Sequence, residues 1–365
     1  MKFRLSIVIN LLAAVILTGC SADDEPLYES QVVENSAVEI SLGLASTPVG
    51  SEESMRAMVV NDNPNLFSLN ENHGGLGIFC LATSRLSAKA SIPNIDWTVS
   101  DNNVCMDNVS AIAKVRNFGQ GNVTSIEWEN HYYYPMGGWY KYSFYGYSPH
   151  VTSPEIASDK VTVDYVLDGT QDVIWGSTGD TEYYATYFTA HLGETPSLSM
   201  QHLLTGLRFR AIAGDDKEGV TVDSRGIRVT CIEIANVPVH QTLTLADRTN
   251  PENIGTLVAK ENATKEAVYL RDDIAGSGYL NGSYLIKSTA ASALEIGNGV
   301  MLPPSDHYYI KVTMRDKLGN DCSPQGYFRI APTSGTFEPG KYYWIQMRIS
   351  AKPENTDGGI DIISD

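Results

Sequence analysis

Short runs of alternating apolar and polar residues recur along most of this chain. Each is cut off after a few positions by Gly, Asn, Asp or Pro, and this constrains the fold more than any other feature. In 37–44, Val38, Ile40, Leu42 and Leu44 share one face, and Glu39, Ser41 and Gly43 the other. From Leu66 onward similar signals fall at 78–82, 97–100, 123–128, 140–147, 160–166 and 173–175. A second series starts near Thr195-Pro196, at 198–211, 227–234, 242–245, 267–270, 283–287, 309–315, 326–330 and 342–350. In 309–315, Ile310, Val312 and Met314 oppose Lys311, Thr313 and Arg315, and 316–321, with Gly319, turns the chain back. No long helical periodicity interrupts the series; 200–205 is expected to make one helical turn. Charged residues are only 19% and hydrophobic residues 42%, with 20 Tyr, a balance that suits half-buried pleated surfaces. The chain is therefore expected to be all-β, with two β-sandwiches in tandem over 37–196 and 197–352 and a tail at 353–365.

The N-terminus is different. Lys2 and Arg4 precede an apolar run over 7–17, too short for a span of about 20 residues but right for a secretory signal over 1–19. Leu17-Thr18-Gly19-Cys20 resembles the lipobox of bacterial lipoproteins, which implies that Cys20 is acylated and becomes the first residue. Residues 20–36 read as an acidic tether. Within it, Asp23-Asp24-Glu25 resembles the surface-export signal of Bacteroidota lipoproteins. The net charge of −17 argues against nucleic acid as a partner and against a basic membrane patch. Membrane attachment is therefore expected through the acyl chains on Cys20.

Motifs that carry chemistry are scarce. There is no Gly-x-Ser-x-Gly elbow, Walker loop or Rossmann glycine pattern. The seven His stand apart, and the paired Asp residues miss the Ca²⁺-loop spacing. His202 reads as a packed, hydrogen-bonded histidine. No enzyme activity, cofactor or metal is expected. Beyond Cys20, the cysteines are Cys80, Cys105, Cys231 and Cys322, with no C-x-x-C pair. Disulfides Cys80–Cys105 and Cys231–Cys322 are one reading, and small apolar strand fillers are the other. Cys231 is expected to share a buried face with Val229. The aromatic block 132–147 reads as a hairpin filling a core, with Tyr133, Trp139, Tyr145 and Tyr147 as candidate contacts to a host or bacterial surface ligand.

Taken in order, several stretches resemble the fimbrillins, the lipoprotein pilus subunits of Bacteroidota. These are the lipobox, the first alternating strand, the Arg56-Ala57 junction, the Tyr-rich strand before Ser148-Pro149, Asp172-Val173-Ile174-Trp175, the 198–204 entry and the 337–343 close. The resemblance implies transthyretin-like sandwiches, export as a lipoprotein, and cleavage by an arginine-directed protease between Arg56 and Ala57. It also implies loss of the strand carrying Val38, Ile40, Leu42 and Leu44, and assembly with other pilus subunits by strand exchange. Stalk fimbrillins end in a long strand-donating extension, whereas here only 360–363 is apolar after 350. That favours a tip or accessory subunit. The alternative is a monomeric surface lipoprotein that binds glycans.

Overall fold

The computed structural model describes residues 39–45, 75–84, 95–99, 103–117, 122–134, 140–178, 195–214, 221–272, 280, 284–288, 293–350 and 360–364. The first half holds β1 (Leu42–Ala45), β2 (Leu76–Ser84), β3 (Val104–Asn117), β4 (Asn122–Glu127), β5 (Tyr140–Ser148), β6 (Glu155–Ile156), β7 (Lys160–Val166) and β8 (Ile174–Ser177). Then come β9 (Ser197–His202), β10 (Thr205–Ala213), the short helix α1 (Val222–Arg225), β11 (Arg228–Val237), β12 (His240–Asp247), β13 (Leu257–Ala259) and β14 (Glu266–Tyr269). The remainder are β15 (Tyr284–Leu285), β16 (Leu294–Leu302), β17 (Tyr308–Arg315), β18 (Phe328–Ile330), β19 (Tyr342–Ile349) and β20 (Ile360–Ser364). The fold is all-β.

Four sheets result. One closes on itself in the order β1-β4-β3-β2-β5-β8-β9, with β9 returning to β1. The others run β16-β10-β19-β20, β14-β11-β17-β18 with β15 on β11, and β13-β12-β7-β6. The alternation in β17 holds: Ile310, Val312 and Met314 are buried, and Lys311, Thr313 and Arg315 face outward. Its turn forms because the Asp316 carboxylate accepts from the backbone N–H of Leu318 at 2.8 Å and of Asn320 at 2.9 Å. Gly319 supplies the positive φ of 84°.

Several expectations give way to pairing. Residues 97–99 form a turn, not a strand, because the Asp96 carboxylate accepts from the Thr98 N–H at 2.8 Å and the Trp97 indole donates to the Ala82 carbonyl at 3.0 Å. Met200 lies in β9, so no helical turn forms there. The expected strand over 198–211 divides in two. The Leu203 N–H bonds the Val173 carbonyl at 2.9 Å, while the Gly206 N–H bonds the Lys341 carbonyl at 2.9 Å, so the chain changes sheets between them. Cys231 does not share the buried face of Val229. A bulge between them shifts the alternation, so that Val229 and Ile232 are buried and Cys231 is half-buried.

Backbone pairing also crosses residue 196. β9 completes the closed sheet of the first half, and β12 pairs with β7 from His240–Val166 to Asp247–Lys160. Only from β10 does the chain enter sheets of its own half.

Candidate functional site

The slot occupied by β1 is the candidate site. β1 runs antiparallel to β4, with Leu42 opposite Ile126 and Gly43 opposite Ser125. On its other edge it runs parallel to β9, with Gly43 opposite Ser197 and Leu44 opposite Leu198. It is thus the strand that joins β4 to β9 and closes the sheet. Just upstream, the Ile40 N–H bonds the Tyr132 carbonyl at 2.8 Å, and Glu39 bridges to Tyr133.

The alternation read in the sequence positions the side chains. Ile40 and Leu42 are each 2% exposed, and Leu44 is half-buried against the same core. Ile126, Tyr134 and Leu198 form part of that core. Burying side chains like Ile40 and Leu42 is worth about 1.5–3 kcal/mol each. Gly43 permits the close approach to β9, since a Cβ there would meet the Ser197 Oγ at 2.6 Å. The Gly43 N–H bonds the Pro196 carbonyl at 2.8 Å. At the entrance, His131 Nδ1 lies 2.5 Å from the Glu39 carboxylate, with both side chains exposed. Val38 lies outside the described residues, as do Cys20, Arg56, Ala57 and Trp139.

The aromatic block is divided in its roles. Tyr147 is 0% exposed, which corrects its reading as a ligand contact. Its hydroxyl donates to Asn108 Oδ1 at 2.6 Å and sits 3.0 Å from the Val151 carbonyl. Burial pushes its pKa up to about 12, despite those hydrogen bonds. Gly77 makes room for the Tyr147 ring, which a Cβ would strike. Tyr134 is buried edge-on against Phe144, with ring centroids 6.1 Å apart. Tyr145 is half-buried, and Tyr133 is 47% exposed.

The packed-histidine reading of His202 is met by a pair the sequence did not disclose. His202 Nδ1 lies 2.8 Å from Asp172 Oδ2, with both side chains largely buried. The two are brought together because His202, at the end of β9, pairs with Ile174 at the start of β8. Cys80, Cys105, Cys231 and Cys322 are free thiols. Among the described residues, no group of three or more His, Cys, Asp or Glu could hold a metal ion. No helix among them is long and apolar enough to cross a membrane.

The family model for fimbrillin-like proteins matches residues 71–362. This chain belongs to the fimbrillin-like family. No curated protein matches it. Among solved structures, a candidate cell adhesion protein from Bacteroides uniformis is similar at 12% identity and a TM-score of 0.45, over 90% of this chain and 96% of that one. A fimbrial assembly protein from Parabacteroides distasonis is similar at 12% identity and a TM-score of 0.38, over 90% and 99%. The fimbrial anchor protein Mfa2 from Porphyromonas gingivalis follows at 9% and 0.33, over 90% and 96%. Overlaps at this level carry no argument about this chain, and the family rests on the sequence match.

Proposed function

We propose that this fimbrillin-like chain is a structural pilus subunit of the cell surface that catalyses no reaction. In this reading it is exported as a lipoprotein on acylated Cys20 and held at the outer membrane until a cut after Arg56. The cut removes both the tether and β1, because both lie upstream. The observation that carries the reading is the position of β1, which is paired on both edges and, with Ile40 just before it, seats Leu42 in the core. Its departure would leave the facing edges of β4 and β9 without their partner and bare the wall around Ile126 and Leu198. A strand from another subunit would restore both, by β-augmentation. β20 is paired along β19, from Ile360 opposite Ile349 to Ser364 opposite Ile345. A β20 engaged in this way within its own chain favours a subunit that accepts a strand without donating one, at the tip or as an accessory.

The test is to treat the folded precursor with trypsin, sequence the new N-terminus, and add peptides copying the first strands of partner subunits. A start at Ala57 together with denaturant-resistant peptide capture, both abolished by Arg56→Ala, is the expected result. A cut chain that captures no strand and keeps the stability of the uncut one would overturn the exchange reading.

A further inference from the structure

We propose that Cys80 and Cys105 are a cross-strand disulfide site, closed by exchange with an oxidised disulfide donor. The pairing of β2 with β3 carries the argument. Cys80 stands opposite Met106, but the next pair is Leu81 with Val104, so Cys105 is an extra residue on β3. In regular alternation Cys105 would point to the face opposite Met106 and away from Cys80. The bulge breaks that alternation. It sets Cys105 beside Cys80, near enough for the two thiols to influence each other. Side chains opposite each other on paired strands have Cβ atoms about 4.5–5.5 Å apart, and a disulfide needs about 3.5–4.5 Å. With Cys105 displaced by the bulge beside Cys80, closing that gap takes a shift of about 1 Å.

Neither of the other cysteines has such a neighbour among its interacting groups. Cys231 lies near Glu233 and Lys311, and Cys322 near Arg225, Asp316 and Asp321. The order of reaction follows from access. Cys80 is 0% exposed, and burial, with Cys105 beside it, holds its thiol well above the ordinary range. Cys105 is half-buried and is the sulfur an external donor reaches. Its thiolate attacks the donor disulfide and expels one thiolate. Cys80 then gives up its proton and attacks Cys105 in the mixed disulfide, expelling the second. Two protein thiols become one S–S bond, and the donor is reduced to two thiols. The bond ties β2 to β3, two strands that carry β4 and hence one wall of the β1 slot. It is independent of whether β1 is ever exchanged.

The experiment uses the full chain, folded in a buffer of oxidised and reduced glutathione, denatured under maleimide and weighed intact. The expected result is two fewer labelled thiols than in a fully reduced control, and a digest peptide pair linked through Cys80 and Cys105. Cys105→Ala should return Cys80 to full labelling. Reductant should lower the melting temperature of the wild type and leave that of Cys105→Ala unchanged. Complete labelling of the oxidised wild type, or a link through Cys231 or Cys322, would overturn the proposal. The peptide map decides the matter on the wild type alone, should the variant fold poorly.

Discussion

At the scale of single residues, the buried His202–Asp172 pair is the most consequential contact outside the β1 slot. Burial disfavours the charged imidazole, but the charge and hydrogen bond of Asp172 outweigh it and raise the His202 pKa above 6.5. A raised folded pKa stabilises the protein fully below about pH 6.5, the unfolded value. That contribution is lost as pH rises through the folded pKa. Tyr342, held well above its ordinary range by burial and by Asp172, stays neutral across this window. The melting temperature should therefore fall as pH is raised from about 6 through the folded pKa, and His202→Asn should remove that slope. At pH 6 the variant should be less stable by roughly 1–3 kcal/mol, since it leaves a buried carboxylate short of its partner. A variant that keeps the wild-type slope would place the titration elsewhere. Tyr147 gives a second check. Tyr147→Phe strips the donor from Asn108 and should cost about 1–3 kcal/mol in denaturant titration. The phenol, with its pKa pushed to about 12, should show no spectroscopic ionisation at pH 10 in the folded chain.

At the scale of elements, β1 is short, and its hold depends on few side chains. Leu42→Ala should cost about 2–5 kcal/mol in chemical denaturation, as for a fully buried leucine, and Leu44→Ala clearly less. Equal losses at the two positions would mean that the pattern of burial is misassigned. The alternation that predicts this difference was readable in the sequence, because side-chain period depends only on the strand's own pleat. The same holds for β17 and for the 316–321 turn, whose Asp and Gly carry their own instructions. Pairing was not readable in this way. Whether β9 belongs with what precedes or follows it depends on partners far along the chain, and its own six residues alternate equally well in either sheet. Bulges were hidden for the same reason. The extra residue at Cys105 and the shift at Thr230 exist only relative to a partner strand, so a single-strand reading put Cys231 on the wrong face. Tyr147 was ambiguous because an aromatic strand has the same pattern whether its rings fill a core or line a surface; the small residues Gly77 and Asn108 that receive it come from β2 and β3.

At the scale of the whole molecule, the two expected sandwiches share backbone. We propose that two cores exist, but strands from beyond residue 196 complete sheets begun before it. β9 pairs with β8 and, in parallel, with β1. β12 pairs with β7, where Leu243 and Val163 face each other fully buried, and the Thr242 hydroxyl donates to the Asp164 carboxylate at 2.6 Å. The chain passes through residues 179–194 between the strands of each pair, so a cut there leaves the ladders to hold the pieces together. A specific protease site placed in that stretch and cut after folding should leave the two pieces together in gel filtration. They should melt in one transition and part only in denaturant, because separation would strip β7, β8 and β12 of long buried ladders at once and leave their backbone groups unpaired. Ionic strength should matter little to this cohesion. The exposed Lys260–Asp164 ion pair across the β12 sheet is screened by solvent and contributes little, whereas buried residues such as Leu243 and Val163 are not screened by salt. Pieces that separate on cutting and then melt independently would show that each half is complete in itself. The pairing of β12 with β7 would then be a contact between finished domains and not part of what folds them.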